Sequence, residues 1–512
     1  MASGFKNWRW GYWPEGLVLA LGLGLYGFQL GQESLWIDEI LSIGSARGRL
    51  DLNRPLYFVL LRGWLRFGGS EVWLRSLSVL FGLGCLGLTY ALGRHLAGRR
   101  VGLVAGVLFA LSPLAINHAQ EVRFYMMSAC LGVAGSLCLG GALRRPGAWS
   151  LGGWIGFRCL GFLTAQPNLL LVVADFAAMG GSALGGWALP RPFAQPLSWR
   201  AFPSAANQRS WDGLRRWGWA LGLLVVPMGL ILRDVVGPLV EFLVEQRWYA
   251  GTARSPGVGN LVGLWAALTA WPLAGPEGLN GFYQPVFRVY AGLVLVGSVF
   301  PVVYRKVRSP QLIWVALWGG VPVALVFLMS QVFPFLWLER YAVGSIPFVA
   351  ILLAASWVWV WDWRRGVAGA IAIFYFVALS GPVMRYYTAD YRADWRGLAV
   401  EMGAIAAEES VVVYPGSFLP YINYYYDGDA ELVPVEEIES AQDVEAELLL
   451  EKVQPLGERF WLACPVKDEW DAARETVFEA LGEEGFVLKE ESASVNHWNW
   501  GPVLYLFEQE RR

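Results

Sequence analysis

The chain has 512 residues, 55% of them hydrophobic and 16% charged, with 28 Trp, 60 Gly and a formal net charge of −2. Soluble domains carry about 25% charged residues, so this composition excludes an ordinary soluble protein and indicates a polytopic membrane protein. The cysteines, Cys85, Cys130, Cys138, Cys159 and Cys464, show neither metal-site nor disulfide spacing.

A membrane-crossing helix needs about 20 largely apolar residues, and residues 14–31 meet that need first. This run has the length of a signal peptide but lacks a small-residue cleavage site and leads straight into acidic sequence, so it reads as a retained anchor. SLWIDEILSIG (34–44) follows, with Asp38 and Glu39 set among apolar side chains. An ionised carboxylate in hydrocarbon costs roughly 2.5 to 3.5 kcal/mol, so this pair belongs where water or a cation reaches it. In NRPLYFVLLRGWLRFGG (53–69), Pro55 is suited to start a helix lying in the interface, with Arg62 and Arg66 at the headgroups.

Further spans are predicted at 72–93, 101–117, 124–142, 150–165, 168–189, 217–236, 286–304, 311–330, 341–360 and 366–384, making eleven with the first. Lys6 and Arg9, then Arg94, Arg99 and Arg100, then Arg144 and Arg145, then Arg191, Arg200, Arg209, Arg215 and Arg216 all fall on one side of that arrangement. That side is expected to be cytoplasmic, which also puts the N-terminus inside. The apolar stretch 257–275 is expected to lie on the outer face, because a crossing there would move the RKVR cluster (305–308) outside.

From Arg385 onward the character changes. There are 27 acidic against 10 basic residues, a net of −17, where the preceding part has 15 against 30, a net of +15. Strand-like runs at 411–415, 459–464, 486–492 and 502–508 alternate with acidic helical stretches such as 443–453. The expected organisation is a transmembrane domain over 1–384, with outer-face loops at 32–71 and 237–285, and an acidic soluble α/β domain over 385–512, extracytoplasmic.

Ionisable groups converge on the outer side. The second outer turn, NHAQEVRFYM (117–126), supplies His118, Glu121, Arg123 and Tyr125; FPFLWLERYAVGSIP (333–347) supplies Glu339, Arg340 and Tyr341. Carboxylates and arginines at one bilayer face provide what is needed to abstract a proton and hold an anionic leaving group.

The acidic pair in the first outer loop, PLYFVLLRGWLRFGGSEVWLRSLSVLFG after it, SPLAINHAQEVRFYM, ERYAVGSIPFVAILLA and DWRGLAVEM (394–402) together resemble the family 39 glycosyltransferases. These are membrane enzymes of the GT-C fold, of the protein mannosyltransferase and aminoarabinose transferase type. The resemblance covers roughly residues 14 to 402. It implies an integral inner- or plasma-membrane enzyme that moves a sugar, with inversion, from a polyprenyl-phosphate donor to an extracytoplasmic glycolipid, glycan or protein hydroxyl. Membrane lipid is then a partner and nucleic acid is not. The resemblance also assigns Asp38 as general base on the acceptor; Glu39 and Glu121, acids on the same outer side, are the other catalytic candidates. Displacement from a phosphate leaving group needs one carboxylate near the acceptor and cations near the phosphate; Arg123 and Arg340 suit the second task, because guanidinium grips phosphate through two hydrogen bonds. Tyr125, Tyr341 and Arg54 are additional candidates for the donor phosphate. A groove is expected among the first two outer loops and the 333–347 turn, apolar on its membrane side.

This chain has Asn53-Arg54-Pro55 where many relatives carry His-Pro. Its three histidines, His95, His118 and His497, exclude a histidine-rich metal site. The one cofactor the sequence leaves open is a divalent ion, with Glu39, Glu121, His118 and phosphate oxygens as its ligands. Structural alternatives accompany these readings: a solvated loop start at Asp38 and Glu39, a helix-stitching ion pair at Glu121 and Arg123, an interfacial arginine at Arg340 paired with Glu339, and an interfacial structural His118. Two other functions compete, a flippase of lipid-linked sugars and a non-catalytic envelope assembly protein. The flippase predicts charges near the bilayer midplane, where Arg158 is the clearest one.

Overall fold

The computed structural model describes residues 13–48, 54–144, 147–184, 256–270, 283–304, 310–333, 339–435, 446–466, 468–493 and 501–510, with the single positions 218, 222 and 229. The chain divides into two compact units, Met1–Phe28 with Ser45–Arg385, and Gln29–Gly44 with Tyr386–Arg512.

The first unit is helical. Among the described residues, Glu71–Ala97, Tyr125–Arg144, Pro285–Val303, Gln311–Ser330, Ala342–Trp363 and Arg365–Thr388 are long and apolar enough to cross a membrane. Arg99–Ala110 and Pro113–Ala119 make a further span if taken together across their 66° bend. The chain is an integral membrane protein. Helices Trp13–Gly27, Ala148–Thr164 and Leu169–Leu184 coincide with three other predicted spans. The span predicted at 217–236 lies outside the described residues apart from its isolated positions. Pro55 does begin a helix, Pro55–Leu65, and Val258–Ala270 lies within the second stretch read as interfacial.

Local chemistry sets these boundaries. Ser70 caps the 71–97 helix by accepting from the Trp73 amide. The bend after Ala110 falls where Ser112 caps a new helix with Pro113 in its first turn, where a missing N–H costs nothing. Helices 71–97 and 99–110 pack backbone to backbone: a Cβ at Gly102 would lie 2.6 Å from the Tyr90 carbonyl oxygen.

Arg158 is buried and fully engaged. Its Nε and Nη2 donate to the two oxygens of Asp175 at 2.7 and 2.8 Å, Nη1 donates to the Gly132 carbonyl at 2.7 Å, and Nη2 to Ser136 Oγ at 2.9 Å. Asp175 also accepts from the indoles of Trp154 at 2.7 Å and Trp318 at 2.8 Å. This network joins the 125–144, 148–164, 169–184 and 310–330 helices. Hydrocarbon tolerates such a charge only when it is paired in this way, so the mid-span arginine is a structural tie.

The second unit contains a five-stranded sheet in the order β2-β1-β3-β5-β4, with β1 Ser410–Val413, β2 Glu431–Pro434, β3 Arg459–Val466, β4 Phe486–Ala493 and β5 Gly501–Gln509. β1 pairs parallel with β2 and β3, and β5 pairs antiparallel with β3 and β4. The period-2 pattern divides its side chains between two cores. Val412, Phe460, Leu462, Tyr505 and Phe507 pack with helices Ala446–Val453 and Asp468–Glu483 on one face. Val411, Val413, Ala463 and Leu504 pack with helices Trp395–Met402 and Leu419–Tyr425 on the other. β2, ELVP, opens on an acidic residue and closes on a proline, so no apolar run marks it in the sequence.

Candidate functional site

Asp38 and Glu39 sit in the first turn of the helix Ile37–Arg47. Their segment belongs to the same compact unit as the residues from Tyr386 onward, and side chains there fix its backbone. Ser34 Oγ donates to the Ala393 carbonyl at 2.7 Å, Glu33 accepts from the Tyr391 amide at 2.6 Å, and Arg396 donates to the Gln32 carbonyl at 2.5 Å. The Leu35 amide donates to the Tyr425 hydroxyl at 2.6 Å.

Within that frame the two acids have different environments. Glu39 is fully buried; one of its oxygens accepts from the Trp36 amide at 2.8 Å, just ahead of the helix, and lies 3.3 Å from Arg392 Nη1. Arg392 is itself buried, and its Nε lies 3.4 Å from Glu33. An acid at the third helical position that returns to an amide before the helix closes half of a capping box, so Glu39 fixes where the helix starts. Asp38, one residue earlier and about 100° around the helix, is half-exposed, and its carbonyl accepts from Ser42 Oγ at 2.8 Å. Tyr421 is its neighbour: burial, and then the negative charge of Asp38, push the Tyr421 hydroxyl above its ordinary pKa.

The candidates of the helical unit gather around the turn that ends in Phe124. Glu121 accepts from Asn117 Nδ2 at 3.1 Å through one oxygen and lies 2.8 Å from His118 Nδ1 through the other. His118 is buried, with its ring 4.7 Å from that of Tyr125. The Arg123 guanidinium lies 5.4 Å from the Phe124 ring centroid and 5.6 Å from that of Tyr125. Arg54 lies 4.3 Å above the Phe124 ring, within cation–π range. Charges on Arg123, Arg340 and Glu121 all reach Tyr125. Gln120 ties the turn to the end of the first helix by donating to the Leu25, Tyr26 and Phe28 carbonyls.

Arg340 and Tyr125 border a cavity of about 50 Å³ whose other walls include Phe124, Leu171, Leu264 and Val326. Its lining is mainly apolar, with Arg340, Ser128, Asn168 and Ser345 as polar members. A second, nearly all-apolar cavity of about 700 Å³ is lined by residues such as Leu17, Leu108, Val294, Phe300, Leu353 and Phe374. The Tyr341 side chain lies outside what the structure describes.

A resident divalent ion does not fit the residues present. Both oxygens of Glu121 already face Asn117 and His118, Glu39 is turned to an amide and a guanidinium, and among the described residues no three His, Cys, Asp or Glu side chains are grouped to hold a metal.

No family model and no curated protein matches the sequence. Solved structures do match. The archaeal oligosaccharyltransferase AglB of Archaeoglobus fulgidus, in complex with an inhibitory peptide and a dolichol-phosphate, aligns over 98% of this chain and 74% of its own, with a TM-score of 0.55 at 11% identity. ArnT from Cupriavidus metallidurans in the apo state aligns over 96% of this chain and 97% of its own, with a TM-score of 0.54 at 14% identity. The same protein bound to undecaprenyl phosphate gives 0.51 at 13% identity, over 97% and 98% of the two chains. This chain has the GT-C fold. The fold expected from the sequence resemblance is therefore the fold found, with several apolar helices and a C-terminal sheet. The GT-C chain also carries Arg392, Glu33, Asn117 and Gln120 in supporting positions that the sequence reading overlooked. DWRGLAVEM directed attention to 394–402, and the polar residues just before it were the available signal.

Proposed function

We propose that this GT-C chain is a membrane glycosyltransferase that moves a sugar from a polyprenyl-phosphate donor to an extracytoplasmic hydroxyl with inversion, Asp38 acting as general base. The observation that carries the reading is the half-exposed Asp38 carboxylate on a helix start locked by the buried Glu39 and Arg392, in a chain of this fold. Asp38 takes the acceptor proton, the acceptor oxygen bonds to the anomeric carbon, and the carbon–oxygen bond to phosphate breaks with its electron pair leaving on the polyprenyl phosphate. Glu39 and Arg392 position the base without touching substrate.

Arg123 and Arg340 carry the donor phosphate, assisted by Tyr125, Tyr341 and Arg54. The mixed lining of the cavity beside Arg340 supports this division, because a phosphate needs donors while an isoprenoid needs apolar walls. The large apolar cavity offers further room for the chain. Among the neighbours, AglB was solved with dolichol-phosphate and ArnT with undecaprenyl phosphate, which supports a polyprenyl-phosphate donor. Glu121, held by Asn117 and His118, keeps the arginine turn in shape.

The test is sugar transfer by the full chain in nanodiscs, using synthetic polyprenyl-phosphate mannose, glucose and arabinose as donors, with donor binding measured separately. Asp38→Asn should abolish transfer and leave donor binding intact. Full activity in that variant would remove Asp38 from the chemistry. The full engagement of Arg158 by Asp175 weakens the flippase reading, which needs a mid-membrane charge open to substrate.

A further inference from the structure

The helix Leu419–Tyr425, LPYINYY, brings an aromatic group beside Asp38 that the reaction as drawn leaves unused. The rings of Phe418 and Tyr421 pack on the buried Trp395 with centroids 5.5 and 5.6 Å from it, and lie 5.9 Å from each other. Ile37, adjoining Asp38, packs into the same cluster, and the Tyr425–Leu35 hydrogen bond fastens this helix to the segment carrying the acid. Trp395 is almost inaccessible, whereas Phe418 and Tyr421 are half-exposed. The Tyr421 hydroxyl makes no hydrogen bond among the described residues, although its ring is fixed. A rigid base under two partly open aromatic rings, with a carboxylate and a phenol at their margin, is thus present within one compact unit.

We propose that Phe418 and Tyr421 form an acceptor platform and that the acceptor is a carbohydrate, stacked through the C–H face of its ring with one hydroxyl turned to Asp38. This deepens the transferase reading and rests on it for the role of Asp38. A sugar ring has an apolar face edged by hydroxyls, and it is matched by an aromatic face edged by a phenol and a carboxylate. A serine or threonine in a protein would instead present backbone N–H and C=O groups, whose natural complement is exposed backbone or a strand edge. The groups gathered next to Asp38 are aromatic side chains, so the carbohydrate is favoured and the peptide becomes the competing outcome. Because Tyr421 is fixed by its neighbours before any ligand arrives, little conformational entropy is lost on stacking.

The experiment is saturation-transfer NMR on the full chain in nanodiscs, with methyl glycosides of mannose, glucose, galactose and arabinose as probes and a serine-containing heptapeptide as competitor class. Wild type should transfer saturation to the ring C–H protons of at least one glycoside. Tyr421→Leu should weaken that binding about tenfold and Tyr421→Phe about threefold, from loss of the ring and of the hydroxyl respectively. Thermal unfolding of each variant checks the fold, and Phe418→Leu, which keeps apolar volume, supplies a second variant should Tyr421→Leu unfold. Asp38→Asn should retain glycoside binding, which separates the platform from the base. Active transfer by Asp38→Asn with Tyr421-dependent glycoside binding would sink the base and leave the platform standing. Absence of glycoside binding, glycoside binding indifferent to Tyr421 and Phe418, or saturation of the peptide alone would overturn the platform while leaving Asp38 as base.

Discussion

Replacing Asp175 with alanine removes the acceptor of four hydrogen bonds, from Trp154 Nε1, Arg158 Nε, Arg158 Nη2 and Trp318 Nε1. Arg158 would keep only the Gly132 carbonyl and the Ser136 hydroxyl, with its side chain 1% exposed. Stranding one member of a buried pair costs about 3–5 kcal/mol, and each indole N–H left unpaired adds about 1 kcal/mol or more. Unfolding entropy scales with chain length, so for 512 residues each kcal/mol is worth roughly 1 °C and the midpoint should fall by about 5 °C or more. The double variant Arg158→Leu with Asp175→Leu removes the charge together with its partner, so it should recover at least about half of that loss. Thermal unfolding in nanodiscs, followed by tryptophan fluorescence and circular dichroism, measures both. An Asp175→Ala midpoint within about 2 °C of wild type, or a double variant no better than the single one, would refute the structural tie.

Arg123→Ala and Arg340→Ala should each weaken binding of polyprenyl phosphate and slow transfer, since the phosphate is charged in ground and transition states alike; normal donor affinity in both would remove them from the donor site. Arg392→Met should lower kcat about tenfold with donor affinity unchanged, because it loosens Glu39 and so misplaces Asp38 without touching lipid; an altered donor Kd with normal kcat would contradict that. Gly102→Ala should lower the unfolding midpoint by about 1–3 °C, since its methyl meets the Tyr90 carbonyl oxygen at 2.6 Å. Burial pushes the Cys464 thiol from 9.0 to about 12, so stability from this group is present below pH 9 and is lost as pH rises towards 12; maleimide should label Cys464 only after denaturation, and rapid labelling of the folded chain at pH 8 would show the site to be open.

Hydropathy alone marked the apolar helices, because an apolar run of spanning length has few other stable places to go. The strands β1, β3, β4 and β5 were equally legible: Val411 through Val413 and Phe460 through Cys464 are short unbroken apolar runs, as strands covered on both faces require. Asp38 stood out because a carboxylate beside a membrane span is costly, and Arg123 and Arg340 because cations at one bilayer face invite an anion. The different environments of Asp38 and Glu39 were not legible. These residues are adjacent in sequence, and only the arrival of Arg392, 353 positions later, turns one inward and leaves the other half-open. The same limit hid Asp175, which looks like an isolated charge in LLLVVADFAAMGG until three other helices close around it. Hydrophobicity and periodicity are local and additive along the chain, so sequence records them directly. The environment of a single carboxylate depends on donors brought from distant segments, and only the tertiary structure decides which donors those are.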